Sequence, residues 1–158
     1  MHIFQNILIF LYKHMNKKEA SVTVPADIEL PTFDTKNGVL MMAQNKSIGG
    51  NGELPFDVVR VLVMKDMIPG DQRGGHTHHK TRQILFALSG SCIVDLDTGI
   101  ETWNTKLDSF NKGILLEPYT WHVMRDFAPG TVLLVLADTE YDEKDYIRDY
   151  DEFLTCIQ

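Results

Sequence analysis

Two histidines lie two residues apart in the middle of the chain, at His76 and His78. Alternate residues of a β-strand face the same side of a sheet. An extended backbone would therefore bring both imidazoles together and turn Thr77 and His79 to the other side. Imidazole can take up and return a proton near neutral pH, and it is also a common metal ligand. The pair indicates either acid–base catalysis or a metal site.

Gln83 and His122 are the two residues that could complete such a site. Gln83 precedes an apolar run over residues 84–88, and His122 ends the segment E-P-Y-T-W-H. Three imidazoles and Gln83 could surround a metal ion. The amide of Gln83 is neutral, however, and compensates the charge of a divalent cation less well than a carboxylate. We therefore expect acid–base work without a metal, and a metal-dependent enzyme remains the alternative.

The stretches around these residues alternate apolar runs with turn residues and show no helical period. Strands are predicted for the His76 segment and over residues 38–44, 57–64, 83–88, 91–96, 101–104, 113–116, 122–126 and 132–137. Turn signals at about every 8–12 residues are typical of an all-β sandwich or barrel. The residues that could do chemistry would therefore lie on strands of one small β-domain.

The pattern changes to a helical one near the end of the chain. Apolar residues fall at helical spacing at Tyr146, Ile147, Tyr150, Phe153 and Leu154. A short C-terminal helix is predicted from Asp142, with Glu143 and Asp145 in the first turn, where acids suit the helix dipole. Residues 138–152 hold eight acids against two bases. This acidic run is interpreted as the solvated face of the helix.

The chain of 158 residues is long enough for one domain with a core and too short for two ordinary ones. Residues 1–14 contain an apolar run without a basic start or a cleavage site, and Met15 resembles a more usual start. We expect residues 1–32 to form an N-terminal extension and arm, with a short strand over residues 21–24. Residues 33–158 are expected to form the single domain.

Charge and composition restrict the partners. The net charge of −7 comes with no basic stripe, which argues against nucleic acid as a partner. No segment has the roughly 20 apolar residues that a membrane helix needs, so no membrane partner is expected. An anionic small ligand remains possible, since basic residues surround the histidine pair at Arg60, Lys65, Arg73, Lys80 and Arg82.

The two cysteines do not form a disulfide framework. Cys92 lies in an apolar run, C-I-V-D-L, where a reduced core thiol is expected, and Cys156 lies in the tail. A chain that keeps its thiols reduced is typical of the cytoplasm. We therefore expect a cytoplasmic protein.

Arg60 interrupts a β-branched run, D-V-V-R-V-L-V-M, over residues 57–64. On an alternating strand it would share a face with Val58, Leu62 and Met64. Two interpretations stay open for this cation. It is either an edge residue that faces water or a buried contact for an anion.

The segment from Gly70 to Gly90 has the pattern G-x5-H-x-H-x4-Q-x6-G. It resembles the first motif of the cupin superfamily, with Gln83 where metal-binding members carry Glu. A degenerate second motif follows, in which Gly113, Pro118 and His122 are retained. This resemblance implies a small cupin barrel in which His122 lies beside the first histidine pair.

Three further segments make the resemblance closer. They are R-G-G-H-T-H-H-K, P-Y-T-W-H and Y-D-E-K-D-Y-I-R-D-Y-D. Together they resemble the dTDP-sugar 3,4-ketoisomerases, the WxcM-like and FdtA-like cupins, over about residues 57–154. The resemblance implies a homodimer without cofactor or metal that acts on a dTDP-linked 4-keto sugar. It places the essential histidine pair on His76 and His78, with His76 as the base.

The resemblance also implies which residues bind substrate. Arg73 and Gln83 match positions of the family. Arg60 or Arg73 would meet the pyrophosphate, His78 would polarise the sugar carbonyl, and Tyr119 or Trp121 would stack on the thymine or sugar. The expected set of substrate-binding residues is Arg60, Arg73, Gln83, Tyr119, Trp121 and His122.

The chain departs from the family in the strand before the histidine motif. Members of the family carry a tyrosine pair there, whereas this chain has Leu62 and Val63. Tyr119 could replace that function. The departure also leaves open a binding module that holds a sugar nucleotide without turnover.

Overall fold

The computed structural model of the chain describes residues 26–158. Two five-stranded antiparallel sheets pack face to face, and a separate two-stranded hairpin and a C-terminal helix flank them. The strands are β1 (Ala26–Glu29), β2 (Thr32–Thr35), β3 (Gly38–Met41), β4 (Arg60–Met64), β5 (Arg73–His78), β6 (Gln83–Ser89), β7 (Cys92–Asp97), β8 (Thr102–Leu107), β9 (Lys112–Leu116), β10 (Trp121–Arg125), β11 (Val132–Ala137) and β12 (Tyr146–Ile147). A 3-10 helix covers Glu143–Asp145, and the helix α1 covers Tyr150–Ile157.

The first sheet has the strand order β1-β9-β6-β11-β4. Its central strand β6 is buried on both faces from Gln83 to Ala87, which explains the continuous apolar run I-L-F-A in the sequence. Leu85 and Ala87 face the core between the two sheets. Ile84 and Phe86 face a second core beneath the segment that connects β3 to β4. The cation at Arg60 lies on the edge strand of this sheet.

The second sheet has the order β12-β5-β10-β7-β8. Burial alternates strictly along β7, so that Cys92, Val94 and Leu96 face the core between the sheets. Met124 of β10 reaches the same core. Because His122 is two residues before Met124, its side chain also points between the sheets. One end of this interior is therefore apolar, and the end with His122 is polar.

The all-β prediction is confirmed by this architecture. The predicted strands correspond to β3 to β11 with shifts of a few residues at their ends, and the strand over residues 132–137 coincides with β11. Three short strands, β1, β2 and β12, were not predicted. Their sequences are too short and too polar to show alternation.

The prediction that the tail helix begins at Asp142 is wrong, because the helix begins later in the chain. Asp142 does cap a helical turn, because its side chain accepts a hydrogen bond from the Lys144 N–H, but that turn is the 3-10 helix. Tyr146 and Ile147 then pair with β5 as a strand. The α-helix begins only after Asp149, whose side chain accepts from the Glu152 N–H. Pairing with the edge of β5 outweighs the helical pattern in this stretch.

The described part of the predicted arm joins the first sheet. Residues of β1 pair with β9, from Ala26 opposite Leu115 to Glu29 opposite Lys112. Leu30 is buried in the second core. The predicted strand over residues 21–24 and the extension over residues 1–14 lie outside the described residues. The domain boundary at residue 33 stays a prediction.

Both cysteines are free, Cys92 in the core and Cys156 at the surface. Burial raises the pKa of the Cys92 thiol to about 11, which keeps it protonated, as expected of a reduced core thiol. Within residues 26–158, no helix combines the length and the apolar character that crossing a membrane would require.

Candidate active site

The strand β5 enters the site through two glycines with positive φ. Gly74 has a φ of +86° and Gly75 a φ of +67°. A Cβ at Gly74 would lie 2.6 Å from the carbonyl oxygen of His122 on the neighbouring strand. Only glycine combines this conformation with so close an approach. The R-G-G-H sequence therefore lets β5 and β10 come together with a register shift next to His122.

Three imidazoles converge at this point. His76 lies opposite His122 in the β5–β10 pairing, and their ring centroids are 4.6 Å apart. The ring centroids of His76 and His78 are 5.2 Å apart. Thr77 is buried on the opposite side of β5, and His79 is exposed. The prediction that His76 and His78 share one face is confirmed, and His122 joins them as expected.

Burial keeps the three imidazoles neutral at physiological pH. It lowers the pKa of His76, partly offset by a hydrogen bond to the Gly74 backbone. Burial and the neighbouring His76 lower the pKa of His78 to about 4. The same two causes lower the pKa of His122 to about 3. Three neutral, closely spaced imidazoles form a site that can accept protons from a bound molecule.

Asp145 contacts this cluster and was not recognised as a site residue in the sequence. Its Oδ2 lies 3.2 Å from Nδ1 of His78, and both side chains are almost fully buried. Burial opposes the ionisation of Asp145, but hydrogen bonds from Thr81, the Lys80 backbone and His78 outweigh it and lower the pKa of this carboxyl. The sequence did not indicate the contact of Asp145 with His78, because the helical pattern of the tail predicted a solvated helix turn for Asp145.

Tyr146 is the aromatic residue that packs on the histidine pair. Its ring centroid lies 5.1 Å from that of His76 and 4.3 Å from that of His78. Its strand β12 pairs with β5, which places Tyr146 opposite His78. The guanidinium of Arg148 lies 4.3 Å from the centre of the Tyr146 ring. The sequence offered no signal for this residue beyond its place in the tail motif.

Arg60 faces the same interior. It shares a face of β4 with Leu62 and Met64, which pack against the core between the sheets. All three of its guanidinium nitrogens are buried and have no hydrogen-bond partner among the described residues. Its charge acts on His78, where it contributes to lowering the pKa. This environment favours the second of the two sequence interpretations, a buried contact for an anion.

Gln83 lies level with Arg60 in the first sheet, on the other side of β11. Ala137 of β11 pairs with Arg60 on one side and with Gln83 on the other. Gln83 is buried and shares the inward face of β6 with Leu85. The first sheet therefore contributes a cation and an amide to the polar end of the interior, opposite the histidines of the second sheet.

Three of the predicted substrate-binding residues lie outside the histidine cluster. Arg73 is exposed at the start of β5. The Tyr119 hydroxyl lies 3.2 Å from Nδ1 of the exposed His79. The Trp121 ring packs on Tyr150 and Phe153 of α1, with centroid distances of 5.2 and 5.7 Å. Roles for these three in substrate binding stay predictions.

The two positions at which the resemblance implies tyrosines, Leu62 and Val63, face opposite sides of β4. Leu62 packs against the core between the sheets, and Val63 faces outward with 60% of its surface exposed. The ring of Tyr146 occupies the neighbourhood of the histidines instead. The replacement of the tyrosine pair by Tyr119 stays a prediction.

The histidine rings meet edge to face, with interplanar angles of 90° and 73° for His76 against its two neighbours. Within the described part of the chain, no group of three or more His, Cys, Asp and Glu side chains is arranged to hold a metal ion.

Comparison with known proteins gives a consistent picture. Residues 25–158 match the family model FdtA, described as WxcM-like, C-terminal. The chain is 40% identical over 125 residues to the TDP-4-oxo-6-deoxy-alpha-D-glucose-3,4-oxoisomerase of Aneurinibacillus thermoaerophilus. This match covers 79% of this chain and 86% of that enzyme.

Two solved structures are similar over most of the chain. A 3,4-ketoisomerase from Helicobacter canadensis has a TM-score of 0.78 and 32% identity, covering 84% of this chain and 96% of that one. A His-to-Asn variant of the 3,4-ketoisomerase QdtA from Thermoanaerobacterium thermosaccharolyticum, in complex with TDP-4-keto-6-deoxyglucose, has a TM-score of 0.78 and 34% identity. The match covers 84% of this chain and 93% of QdtA.

Proposed function

Because the chain belongs to the FdtA, WxcM-like family of TDP-sugar 3,4-ketoisomerases, we propose that its histidine site converts a dTDP-4-oxo-6-deoxyhexose to the 3-oxo isomer. The observation that carries this proposal is the convergence of His76, His78 and His122 opposite the unpaired guanidinium of Arg60. Neutral bases on one side and a cation on the other suit a reaction that removes a proton and develops an oxyanion.

His76 is the proposed base for the carbon-bound proton. The C3 hydrogen lies next to the C4 carbonyl, which acidifies it. His76 lies between the other two imidazoles, and burial lowers its pKa so that it is neutral and able to accept. Removal of this proton gives an enediolate, and return of a proton at C4 completes the exchange of carbon-bound hydrogen. Both steps can use the same base.

His78 is proposed to move the hydroxyl proton. During isomerisation the C3 hydroxyl becomes a carbonyl and the C4 carbonyl becomes a hydroxyl, so a proton must also pass between the two oxygens. Nδ1 of His78 faces Asp145, and its Nε2 is buried without a hydrogen-bond partner among the described residues. A neutral ring in this orientation presents a lone pair at Nε2. It therefore suits proton acceptance from the C3 hydroxyl better than the predicted polarisation of the carbonyl.

Arg60 is the proposed stabiliser of the enediolate oxygen. A guanidinium presents five N–H donors, and each of the three nitrogens of Arg60 lacks a hydrogen-bond partner within residues 26–158. A preformed cation in a site shielded from water stabilises a developing oxyanion strongly. The exposed Arg73 at the start of β5 is then the better placed arginine for the pyrophosphate.

The proposed function also implies a ligand and a cellular compartment for the protein. A dTDP-linked 4-keto sugar is an anion, and the arginines of the site give it a complementary charge. The two free thiols, one of them buried in the core, suit a reducing compartment, and we place the enzyme in the cytoplasm. A homodimer is proposed as the working assembly.

The proposed function is tested by incubating the purified protein with dTDP-4-oxo-6-deoxyglucose and recording proton NMR spectra over time. We expect signals of the 3-oxo sugar to replace those of the substrate, and in D2O we expect loss of the C3 hydrogen signal. Binding of the sugar nucleotide without either change would instead identify a binding module, the reading that Leu62 and Val63 keep open.

Activity after removal of metal ions distinguishes the proposed mechanism from a metal-dependent one. Because the neutral amide of Gln83 stands where metal-binding cupins carry Glu, we expect the protein to keep its full activity after treatment with EDTA. Loss of activity that one divalent ion restores would refute the mechanism above.

A further inference from the structure

His78 and Asp145 form a buried pair between residues that are 67 positions apart in the chain. His78 is 3% and Asp145 4% exposed. A carboxylate taken out of water is costly unless several hydrogen bonds stabilise it, so such pairs contribute little to net stability. The proposed proton transfers at His76 and His78 do not by themselves require an acid at this place. The pair therefore needs an explanation beyond folding.

The carboxylate of Asp145 is held in a fixed position. Its Oδ1 accepts a hydrogen bond from the Lys80 N–H at 2.9 Å, and its Oδ2 accepts one from the Thr81 hydroxyl. Its own carbonyl oxygen accepts from the His79 N–H at 2.9 Å. All of these donors belong to the three residues that directly follow His78. The turn after the H-x-H motif is thus built to hold this carboxylate against the ring of His78.

The orientation of His78 follows from this contact. Nδ1 faces an ionised carboxylate at 3.2 Å and must donate its proton to it. Nε2 is then the free lone pair, buried on the side of the ring away from Asp145. The groups that surround this imidazole are His76 on β5, His122 on β10, Tyr146 on β12, Arg60 on β4 and Asp145 itself. Among these, Arg60 and a protonated His76 disfavour the imidazolium, and Asp145 favours it.

We propose that Asp145 is a positioning residue of the isomerase, which fixes the tautomer of His78 and stabilises the imidazolium formed when Nε2 accepts the hydroxyl proton of the sugar. This inference rests on the proposed function. The proton passes from the C3 hydroxyl oxygen to Nε2 and from Nε2 to the C4 oxygen, so the ring returns to its neutral state after each turnover. Asp145 keeps its charge throughout and acts on the sugar only through His78.

The test is Asp145→Asn in the full-length protein. We expect kcat to fall by roughly 10²–10⁴-fold, the range for loss of acid–base catalysis, with little change in KM. Exchange of the C3 hydrogen in D2O should persist, because His76 carries that step. In nitrogen NMR of the histidine rings, the His78 proton should move from Nδ1 toward Nε2, and the pKa of His78 should fall, since the anion that stabilised its cation is gone.

A second variant keeps the test independent of folding. Thr81→Val removes a hydrogen bond to Asp145 but retains the carboxylate. We expect a smaller loss of kcat, on the order of tenfold, and a mixture of His78 tautomers. The matched control is Asp108→Asn, which removes an exposed acid paired with Lys106 at the far end of β8. It should leave kcat and the His78 signals unchanged.

Two outcomes overturn the inference. A folded Asp145→Asn protein with unchanged kcat and an unchanged His78 tautomer would show that the acid is only structural. If that variant does not fold, wild-type kcat and tautomer in Thr81→Val decide against the proposal in the same way. Failure of the proposed function is a different result, in which the wild-type protein neither isomerises the sugar nor exchanges its C3 hydrogen.

Discussion

At the scale of single residues, burial is what makes the histidines of this site useful. A histidine in water would be partly protonated near neutral pH, and its cation cannot accept a second proton. Enclosure between the sheets lowers the pKa of His76, His78 and His122, so that all three rings are neutral when substrate arrives. Their individual tasks then depend on what each ring contacts.

The first prediction separates the two histidines of β5. His76→Asn should abolish both turnover and exchange of the C3 hydrogen in D2O, because asparagine cannot accept a proton at neutral pH. His78→Asn should slow turnover by about 10²-fold or more but leave C3 exchange measurable. Proton NMR of the sugar in D2O records both quantities.

The exposed His79 gives the matched control, since it lies on β5's continuation but outside the cluster. His79→Asn should change neither turnover nor exchange. Near-normal C3 exchange in His76→Asn would assign the base to another residue, with His78 and His122 as the remaining candidates.

The residues that local patterns could identify were those close together in sequence. Alternation predicts that His76 and His78 share a face, and the turn-rich spacing predicts the strands that carry them. Asp145 and Tyr146 could not be found in this way, because their contacts with His78 depend on the pairing of β12 with β5. The inward direction of Arg60 was one of two equal alternatives until the packing of β4 was known.

The second prediction concerns stability in acid. His122 has a pKa of about 3 in the folded chain, well below the value of about 6.5 for a free histidine. The unfolded chain therefore binds more protons between these values, and the free energy of unfolding must fall as pH is lowered from about 6.5. His78 acts in the same direction, with a folded pKa of about 4.

Urea denaturation at pH 7 and pH 5 measures this effect. His122→Gln should show a smaller loss of stability between the two pH values than the wild-type protein, because one of the buried titrating groups is gone. The exposed His79→Asn serves as the comparison and should keep the wild-type difference. An equal loss in His122→Gln and wild type would contradict the assignment.

At the scale of elements, the site depends on how β5 approaches β10. The bulged pairing next to His122 requires the positive φ of Gly74 and leaves no room for a side chain there. Strand propensity would not predict this bulged pairing, since two consecutive glycines weaken a strand. The glycines of the R-G-G-H sequence therefore allow β5 to approach β10 closely, and this approach sets the distance between His76 and His122.

The third prediction compares the two glycines. Gly74→Ala should destabilise the fold by about 1–3 kcal/mol and lower activity, because the new Cβ is strained at positive φ and meets the His122 carbonyl oxygen. Gly75→Ala has the same left-handed strain but open space around its Cβ, and it should cost only about 1 kcal/mol. Thermal unfolding and turnover of both variants test this, and equal effects would argue against the close approach.

At the scale of the whole molecule, the outer edge of the first sheet is unusually apolar. Val61 and Val63 of the edge strand β4 and Val59 just before it expose between 55% and 60% of their surface. An open edge with such residues is a site for pairing with another chain. This exposed apolar strand suits a second copy of the protein as the partner.

The fourth prediction is therefore a homodimer in solution. Light scattering should give about twice the chain mass of 18.0 kDa. The predicted arm, residues 16–32, contains β1 and the buried Leu30, so its complete deletion would also damage the fold. Removal of residues 1–25 alone is the sharper test and should weaken the dimer.

Val61→Glu tests the strand edge separately and should shift the mass toward that of the monomer. Ile100→Glu, at an exposed residue in the β7–β8 turn, is the matched control and should leave the mass unchanged. A monomeric mass for the wild-type protein at micromolar concentration would refute the dimer.

The position of β12 has a consequence for how the enzyme is made. The ribosome synthesises this chain from its amino end, so His76, His78 and His122 emerge before Asp145 and Tyr146. Nascent chains that stop before residue 145 can hold the three imidazoles but neither the acid nor the aromatic ring that pack on them. Catalytic competence is thereby tied to synthesis of β12, and a premature stop codon between residues 138 and 145 would retain β1 to β11 but remove the acid and the aromatic ring of the site.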